Sequence, residues 1–384
     1  MGKFFFYGLI LLIVAVFGPH AGGTSEAKAA VAPVGQLPAV TVSLTPSVYA
    51  LPVLLVERQG EWKDFGIQVT LKIHAGGEDQ LERLATQEWE VAVMDPWNAV
   101  KGGNEGNVAI VGVAGDFSRQ LPFLLQRNGP SGSRGKWAQG LKGFLARAES
   151  RGEKAFLPAC LVAAANYADT RKTLVLRWLE GYSRGIRIIE KNREAAASRL
   201  KEFYRETLKE EIPGPLLRQE IEEAFYFNEK DREEPFRGKE SRLQEFAKSM
   251  TRYLEGLKAL DSPGEPSDYI LFKLCDQLSA LRGEAMSQLE KTGESIEEAA
   301  RAGAQVSEFR KAWDEARIQI QEGRGCLTVI GVLSDLQRSA DQSRLSGGRL
   351  REFRRIEMAA GGILALYYAG YFIHRRRKPG RWEG

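Results

Sequence analysis

The sequence is poor in the residues that build metal centres and covalent frameworks. It has three cysteines (Cys160, Cys275, Cys326) and three histidines (His20, His74, His374). No two cysteines form a C-x-x-C pair, and two of the histidines lie in or beside terminal apolar segments, which argues against a zinc site built from His and Cys; no metal is expected. Three scattered cysteines make no disulfide framework. They read as buried thiols, with Cys275–Cys326 the one pairing left open. An excess of one charge is also missing: 54 basic residues stand against 50 acidic ones, a net +4. That balance offers no general nucleic-acid surface. The sequence contains no G-x-S-x-G, no G-x-x-x-x-G-K-[ST] and no H-E-x-x-H, so neither an enzyme nor a cofactor is expected. Its many carboxylates fall on polar helix faces beside lysine and arginine, the ordinary solvated pattern.

Long hydrophobic runs are scarce, and both lie at the ends. Phe4–Phe17 is uncharged after Lys3. It is shorter than the ~20 residues that span a bilayer comfortably and fits the core of a secretory signal. Ala27-Lys28-Ala29 has the form of a cleavage site, and no cysteine follows to carry a lipid. An uncleaved anchor is the alternative. Met358–Ile373 is likewise uncharged, with Tyr367, Tyr368 and Tyr371 near its end and Arg375, Arg376, Arg377 and Lys378 behind it. Basic side chains that snorkel lengthen such a span, and the basic cluster belongs on the cytoplasmic side. A buried or interfacial helix is the competing reading. The two ends give one topology: an exported chain, on the periplasmic or extracellular face of the cytoplasmic membrane, held by a C-terminal helix.

Between the ends the pattern is α/β, then α. Ala39–Leu44 reads as a buried strand, and Tyr49–Gln59 as a helix with Pro52 in its first turn. Ile67, Val69, Leu71 and Ile73 alternate with polar residues, the period-two signature of a strand. Asp79–Thr86 suits a short helix with capping-box spacing at Asp79 and Glu82. Val91–Met94 and Val108–Val113 read as strands, with a helical turn at Trp97–Lys101 between them. Strands alternating with helices predict a parallel wound sheet. Past Leu125 the strand signal fades into amphipathic helices at Thr173–Ile189, Glu194–Lys209, Leu216–Phe227 and Leu243–Leu260. Farther on, Met286, Leu289, Ile296, Ala300, Gly303, Val306, Phe309, Trp313, Ala316 and Ile320 form an apolar seam suited to a helical hairpin or coiled coil.

One stretch resembles a known family. The text Tyr49-Ala50-Leu51-Pro52-Val53-Leu54-Leu55-Val56-Glu57-Arg58-Gln59-Gly60, then Trp62–Val69, His74–Gly77, Leu81–Leu84 and Trp89–Met94, is similar in order and spacing to the first lobe of ABC-transporter substrate-binding proteins of the nitrate/sulfonate/taurine and thiamine-precursor type. Trp137 with Leu141-Lys142-Gly143 resembles that family's approach to its second lobe, and Tyr167–Tyr204 resembles a later helix pair. Two departures stand out. Glu88 and Glu90 flank Trp89 where the family usually has Gly and Asp, and only a short segment lies where it has a further strand–helix–strand set. The resemblance implies a periplasmic-binding-protein type II-like wound α/β sheet with a reduced second lobe, followed by a helical segment and a transmembrane helix. The implied organisation is a signal peptide (1–29), a linker (30–38), a first lobe (39–126), a reduced second lobe with helices (127–260), a linker (261–268), a helical hairpin or coiled coil (269–356), a transmembrane helix (357–374) and a basic cytoplasmic tail (375–384).

In open α/β sheets ligands sit outside the carboxyl ends of the strands. Four loops occupy those positions. They supply Ser47 and Tyr49, Gly76 and Gly77, Asp95, Trp97 and Asn98, and Asp116. Gly76 and Gly77 at a helix start favour anionic groups. Ser47, Tyr49 and Asn98 offer hydroxyl and amide partners, Trp97 and Tyr49 could stack on a ring, and Asp95 and Asp116 could hold an amine. Each has a plainer reading: Asp95-Pro96 as a helix N-cap, Trp97 as core, Gly76-Gly77 as a tight turn, His74 as a structural residue. The set fits a small polar or aromatic nitrogen-containing or organosulfur solute, captured for an ABC permease and ATPase. A membrane-anchored sensor that signals through the helical segment is the alternative.

Overall fold

The computed structural model describes residues 37–120, 133–150, 156–224, 226–227, 235, 241–260, 263–302, 304 and 306–345. The expected signal segment, transmembrane helix and basic tail lie outside these residues. Among the described residues no helix is long and apolar enough to cross a membrane.

The fold is mixed α/β. Strands β1 (Ala39–Leu44), β2 (Gln68–Ile73), β3 (Val91–Met94), β4 (Val108–Asp116) and β5 (Pro158–Ala164) form one sheet in the order β2-β1-β3-β5-β4. β1 pairs in parallel with β2 (Val42 opposite Leu71) and with β3 (Val42 opposite Val91). β5 enters between β3 and β4 and runs antiparallel to both, with Met94 opposite Cys160 and Ile110 opposite Val162. The sheet is therefore mixed, not parallel throughout as the sequence suggested. The unforeseen strand is β5, whose text PACLVAA is buried at every position. A central strand covered on both faces shows no alternation, and an alanine-rich run of that length does not differ from a buried helix by periodicity. Edge strand β2 alternates as far as Lys72: Val69 and Leu71 pack on the core, while Gln68, Thr70 and Lys72 face solvent; Ile73, expected inward, is 42% exposed at the strand's carboxyl end.

Helices α1 (Leu51–Gln59), α2 (Gly77–Ala85) and α3 (Pro96–Asn104) connect the first strands. α4 (Ser133–Ser150) lies between β4 and β5 in sequence, and α5 (Ala165–Thr170) follows β5. The first turn of α2 contains Asp79, but its N-cap is Gly76; the Asp79 carboxylate accepts the Ala75 N–H at 3.0 Å, so the expected Asp79–Glu82 box is not what starts this helix. α6 (Lys172–Lys191) is the long core helix, with Val175, Leu176, Trp178, Leu179, Tyr182, Ile186 and Ile189 buried. Gly181 and Gly185, one turn apart, let its backbone touch neighbours: a Cβ at Gly181 would fall on the Trp62 ring, and one at Gly185 on the Pro52 backbone. Next come α7 (Arg193–Leu208), α8 (Gly214–Glu223) and α9 (Arg242–Gly256). Ser241 and Gln244 close a reciprocal capping box on α9, at 3.2 and 3.1 Å. The region read as a reduced second lobe thus adds β5 to the same sheet and packs helices beside it. Segment 261–268, expected as a linker, is partly structured. The Gly264 N–H donates to Asn104 Oδ1 at 2.7 Å, and a short helix α10 (Pro266–Tyr269) seats Tyr269 against Gly103 of α3.

The C-terminal part is a three-helix bundle rather than a hairpin: α11 (Phe272–Arg301), α12 (Ser307–Glu322) and α13 (Cys326–Leu345). Its interior is Leu281, Ala285, Leu289, Ala316, Ile320, Val329 and Leu333 at one end, and Ile296, Ala299, Phe309, Ala312, Leu336 and Ala340 at the other. Met286, counted in the sequence seam, is 47% exposed. The buried stripe of α11 runs instead through Leu281, Ala285, Leu289 and Ile296, because two partner helices, not one, define its inner face.

Polar groups tie this bundle to the sheet body. Arg184 makes a bidentate pair with Glu61 at 2.8 and 3.1 Å, and Arg324 lies 3.8 Å from the same carboxylate. Arg187 donates to the Gly323 carbonyl at 2.7 Å. The buried Glu180 carboxylate accepts N–H groups from Cys326 at 2.7 Å and Leu327 at 3.4 Å, capping the start of α13.

Candidate functional site

The carboxyl ends of β1, β2 and β3 lie side by side because β1 is parallel to both neighbours. The loops that leave them carry most of the residues picked out by sequence. After β2 the chain turns at Gly76, fully extended (φ −172°, ψ −179°), and enters α2 at Gly77. After β3, Asp95 caps α3. Its carboxylate accepts the Asn98 N–H at 3.0 Å and the Asn98 side-chain amide at 2.9 Å, and Pro96 occupies the first helical position. The N-cap reading of Asp95 is therefore correct, and it does not remove the residue from the site. Burial holds the Asp95 carboxyl above the usual carboxylate range, and the Glu78 charge adds to this.

Gly77 is what brings α2 to this corner. A Cβ there would fall on Asp95 Oδ2 and Asn98 Nδ2. The glycine serves packing of chain on chain, while Gly76 has open space where its side chain would be. Gly77, Asp95 and Asn98 are thus brought together and buried, with Gly76 half-exposed beside them.

Two further residues of the same corner, Gln80 and Ser43, are not marked by any sequence motif. Gln80, fully buried on α2, donates through Nε2 to Ser43 Oγ at 2.9 Å and to the Val93 carbonyl at 3.2 Å. Its backbone carbonyl accepts the Trp89 indole N–H at 2.8 Å. The available signal was that Gln80 shares a helix face with Leu84, and that Ser43 sits in an otherwise apolar strand end. These donations fix both amide orientations: Gln80 Nε2 faces a carbonyl, and Asn98 Nδ2 faces a carboxylate. The opposite atoms, Gln80 Oε1 and Asn98 Oδ1, are buried and have no hydrogen-bond partner among the described residues. An unpaired buried acceptor costs about 1–3 kcal/mol. Two acceptors and a carboxylate make the corner a receiver of N–H or O–H donors.

The remaining expected residues are engaged elsewhere. Tyr49 and Asp116 do meet, since the Tyr49 hydroxyl donates to the Asp116 carbonyl at 2.8 Å. The Asp116 carboxylate, however, accepts backbone N–H groups of Ser118 (3.0 Å) and Leu157 (3.4 Å). Tyr49 is buried, stacked on Phe117 at 5.8 Å and edge-on to Tyr226 at 5.6 Å, and Tyr226 in turn donates to the Val48 carbonyl at 2.6 Å. Aromatic packing fills the β4 side. Trp97 also packs on protein, edge-on to Tyr253 at 6.1 Å with Gly140 against its ring, so it is core and not a platform. Ser47 precedes a 3-10 turn, half-exposed, and its hydroxyl makes no capping bond. His74 is buried, with Nδ1 3.5 Å from Asp79 and no partner for Nε2 among the described residues. Cys160 and Cys326 are buried thiols, and burial drives the Cys160 thiol far above its ordinary range. Among the described residues no three His, Cys, Asp or Glu side chains cluster as metal ligands.

No protein-family model and no curated protein sequence matches the chain. Solved structures do resemble it. A Candida albicans gene product, described as exhibiting the generic periplasmic binding protein structural fold, matches at TM-score 0.44 and 9% identity over 61% of this chain and 96% of its own. The alkanesulfonate-binding protein of Xanthomonas axonopodis pv. citri matches at 0.43 and 10% over 62% and 99%. The periplasmic nitrate-binding protein of Synechocystis matches at 0.39 and 10% over 63% and 88%. These are distant likenesses, and what the site does is decided by its own residues.

A cavity of about 360 Å³ is present, but at the other end of the sheet, where Trp89, Glu90 and Asn107 precede β3 and β4.

Proposed function

We propose that the chain is an extracytoplasmic solute-binding protein of an ABC-type import system, tethered to the membrane by segment 357–374. In this reading it takes a small nitrogen-bearing solute at the carboxyl ends of β1, β2 and β3, and passes it to a permease and its ATPase. The observation that carries the reading is the pair of buried, unpartnered amide oxygens, Asn98 Oδ1 and Gln80 Oε1, beside the desolvated Asp95 carboxyl. An amine, amide or aminopyrimidine offers N–H donors to all three. A sulfonate or nitrate brings only acceptors and gains nothing from them. Gly76, half-exposed beside these residues, is the open side of the corner. The uncharged run Met358–Ile373 with the basic cluster behind it supports the tether.

The test is thermal unfolding of the purified chain against a solute panel of amines, amides, aminopyrimidines, sulfonates and nitrate. Nitrogen donors should raise the unfolding temperature. Stabilisation by sulfonates alone would reverse the assignment, and no stabilisation by any solute would remove it.

The second reading, a sensor, is favoured by one observation: the bundle α11–α13 is joined to the sheet body through buried charged groups, Glu180 at the start of α13 and Glu61 between Arg184 and Arg324. Purification of the tethered chain with its membrane partners separates the two, since permease and ATPase subunits support import and a kinase or cyclase supports sensing.

A further inference from the structure

The cavity at the amino ends of β3 and β4 exists because β5 runs backwards. Its carboxyl end, Ala164, arrives beside Trp89 and Glu90 and beside Asn107, and the chain turns there into Tyr167. Two left-handed residues shape the rim, Gln87 (φ 57°) and Gly106 (φ 71°). The volume, about 360 Å³, sits at the small end of ligand pockets, which run about 300–1,000 Å³.

Its chemistry is one-sided. Among the described residues, Glu90 is the only one lining the cavity with a formal charge, and no lysine or arginine lines the space. The Tyr167 hydroxyl is buried and has no hydrogen-bond partner among the described residues. Burial, and then the Glu90 charge, push the Tyr167 phenol up to about 12 against the opposing Arg171, so it stays protonated. Leu84, Ala85 and Ala164 supply apolar wall, and the Trp89 indole is held in place by its bond to the Gln80 carbonyl.

The geometry points to a binding site for a small primary ammonium compound, with the ammonium shared by the Glu90 carboxylate and the Tyr167 hydroxyl and a short apolar body lying along Leu84, Ala85 and Trp89. A cation supplies the donors that both oxygens accept and neutralises the one charge in the cavity. An anion would meet the Glu90 charge, and a neutral alcohol would leave that charge without a counter-ion, since its one bond among the described residues is the neutral Thr41 N–H. The site is at the opposite end of the sheet from the Asp95 corner and stands whether or not that corner binds a solute.

The probe is phenethylammonium chloride, titrated calorimetrically into the full chain in detergent, with 2-phenylethanol as neutral isostere and phenylacetate as anion. Phenethylammonium should bind and the other two should not. Glu90→Gln keeps an acceptor for the Thr41 N–H that Glu90 now serves, so the fold should persist while affinity drops at least about tenfold. Tyr167→Phe should weaken binding severalfold. Ala85 is exposed at the rim, so Ala85→Trp should fill the cavity and abolish binding without disturbing the core. Equal affinity for 2-phenylethanol, unchanged binding in Glu90→Gln or in Ala85→Trp, or no binding of phenethylammonium overturns the proposal.

Discussion

Glu180 offers a measurement of how the bundle is held. Its carboxyl is buried in α6 and capped by the Cys326 and Leu327 N–H groups. Burial raises its pKa from the ordinary 4.5 to about 6, despite those N–H bonds and the nearby Arg187. A carboxyl whose folded pKa lies above its unfolded one binds more protons in the native state. Its contribution is fully present below the unfolded value and is lost as pH rises through the folded one. From 4.5 to about 6, at about 1.4 kcal/mol per pH unit, the loss is about 2 kcal/mol. Asp64, also raised to about 6 chiefly by burial and next by Glu61, acts in the same direction. Glu180→Gln removes the titration while keeping one acceptor for α13. The stability difference between variant and parent, from urea unfolding at a series of pH values, should therefore shift in favour of the variant by about 2 kcal/mol between pH 4.5 and pH 7. A difference independent of pH, or one that shifts against the variant at pH 7, refutes the reasoning. The second outcome would mean that the helix N-terminus and Arg187 stabilise the carboxylate more than burial penalises it.

Gly185→Ala should cost about 1–3 kcal/mol in urea unfolding, since its Cβ meets the Pro52 backbone, whereas Gly283→Ala, on an open face of α11, should stabilise by about 0.5–1 kcal/mol; equal effects would remove the packing argument. Ser241→Ala should destabilise by about 1 kcal/mol through loss of the α9 capping box, and a neutral result in the same assay would show that the bond contributes nothing. Asn98→Ala should abolish most of the unfolding-temperature shift given by a nitrogen-bearing solute while leaving Asp95 its bond to the residue 98 N–H, and an unchanged shift would place the solute elsewhere.

The sequence alone determined much of the scaffold. Alternation marked edge strand β2 through its own period, and β1, β3 and β4 were marked instead as short apolar runs set between helical patterns, too short to be helices themselves. Asp95-Pro96 announced the start of α3 through local hydrogen bonding and a fixed φ, which need no distant partner. Tertiary structure decided the rest. It placed β5 antiparallel inside the sheet, between β3 and β4, where burial on both faces erases periodicity, and thereby made the cavity beside Glu90 and Tyr167. It turned Trp97 and Tyr49 into packing, since which aromatic meets another ring depends on elements far along the chain, Tyr253 and Tyr226. It also joined Gln80 to Ser43 and left two amide oxygens unpaired, a property of the space between α2, β1 and α3 that no local pattern encodes.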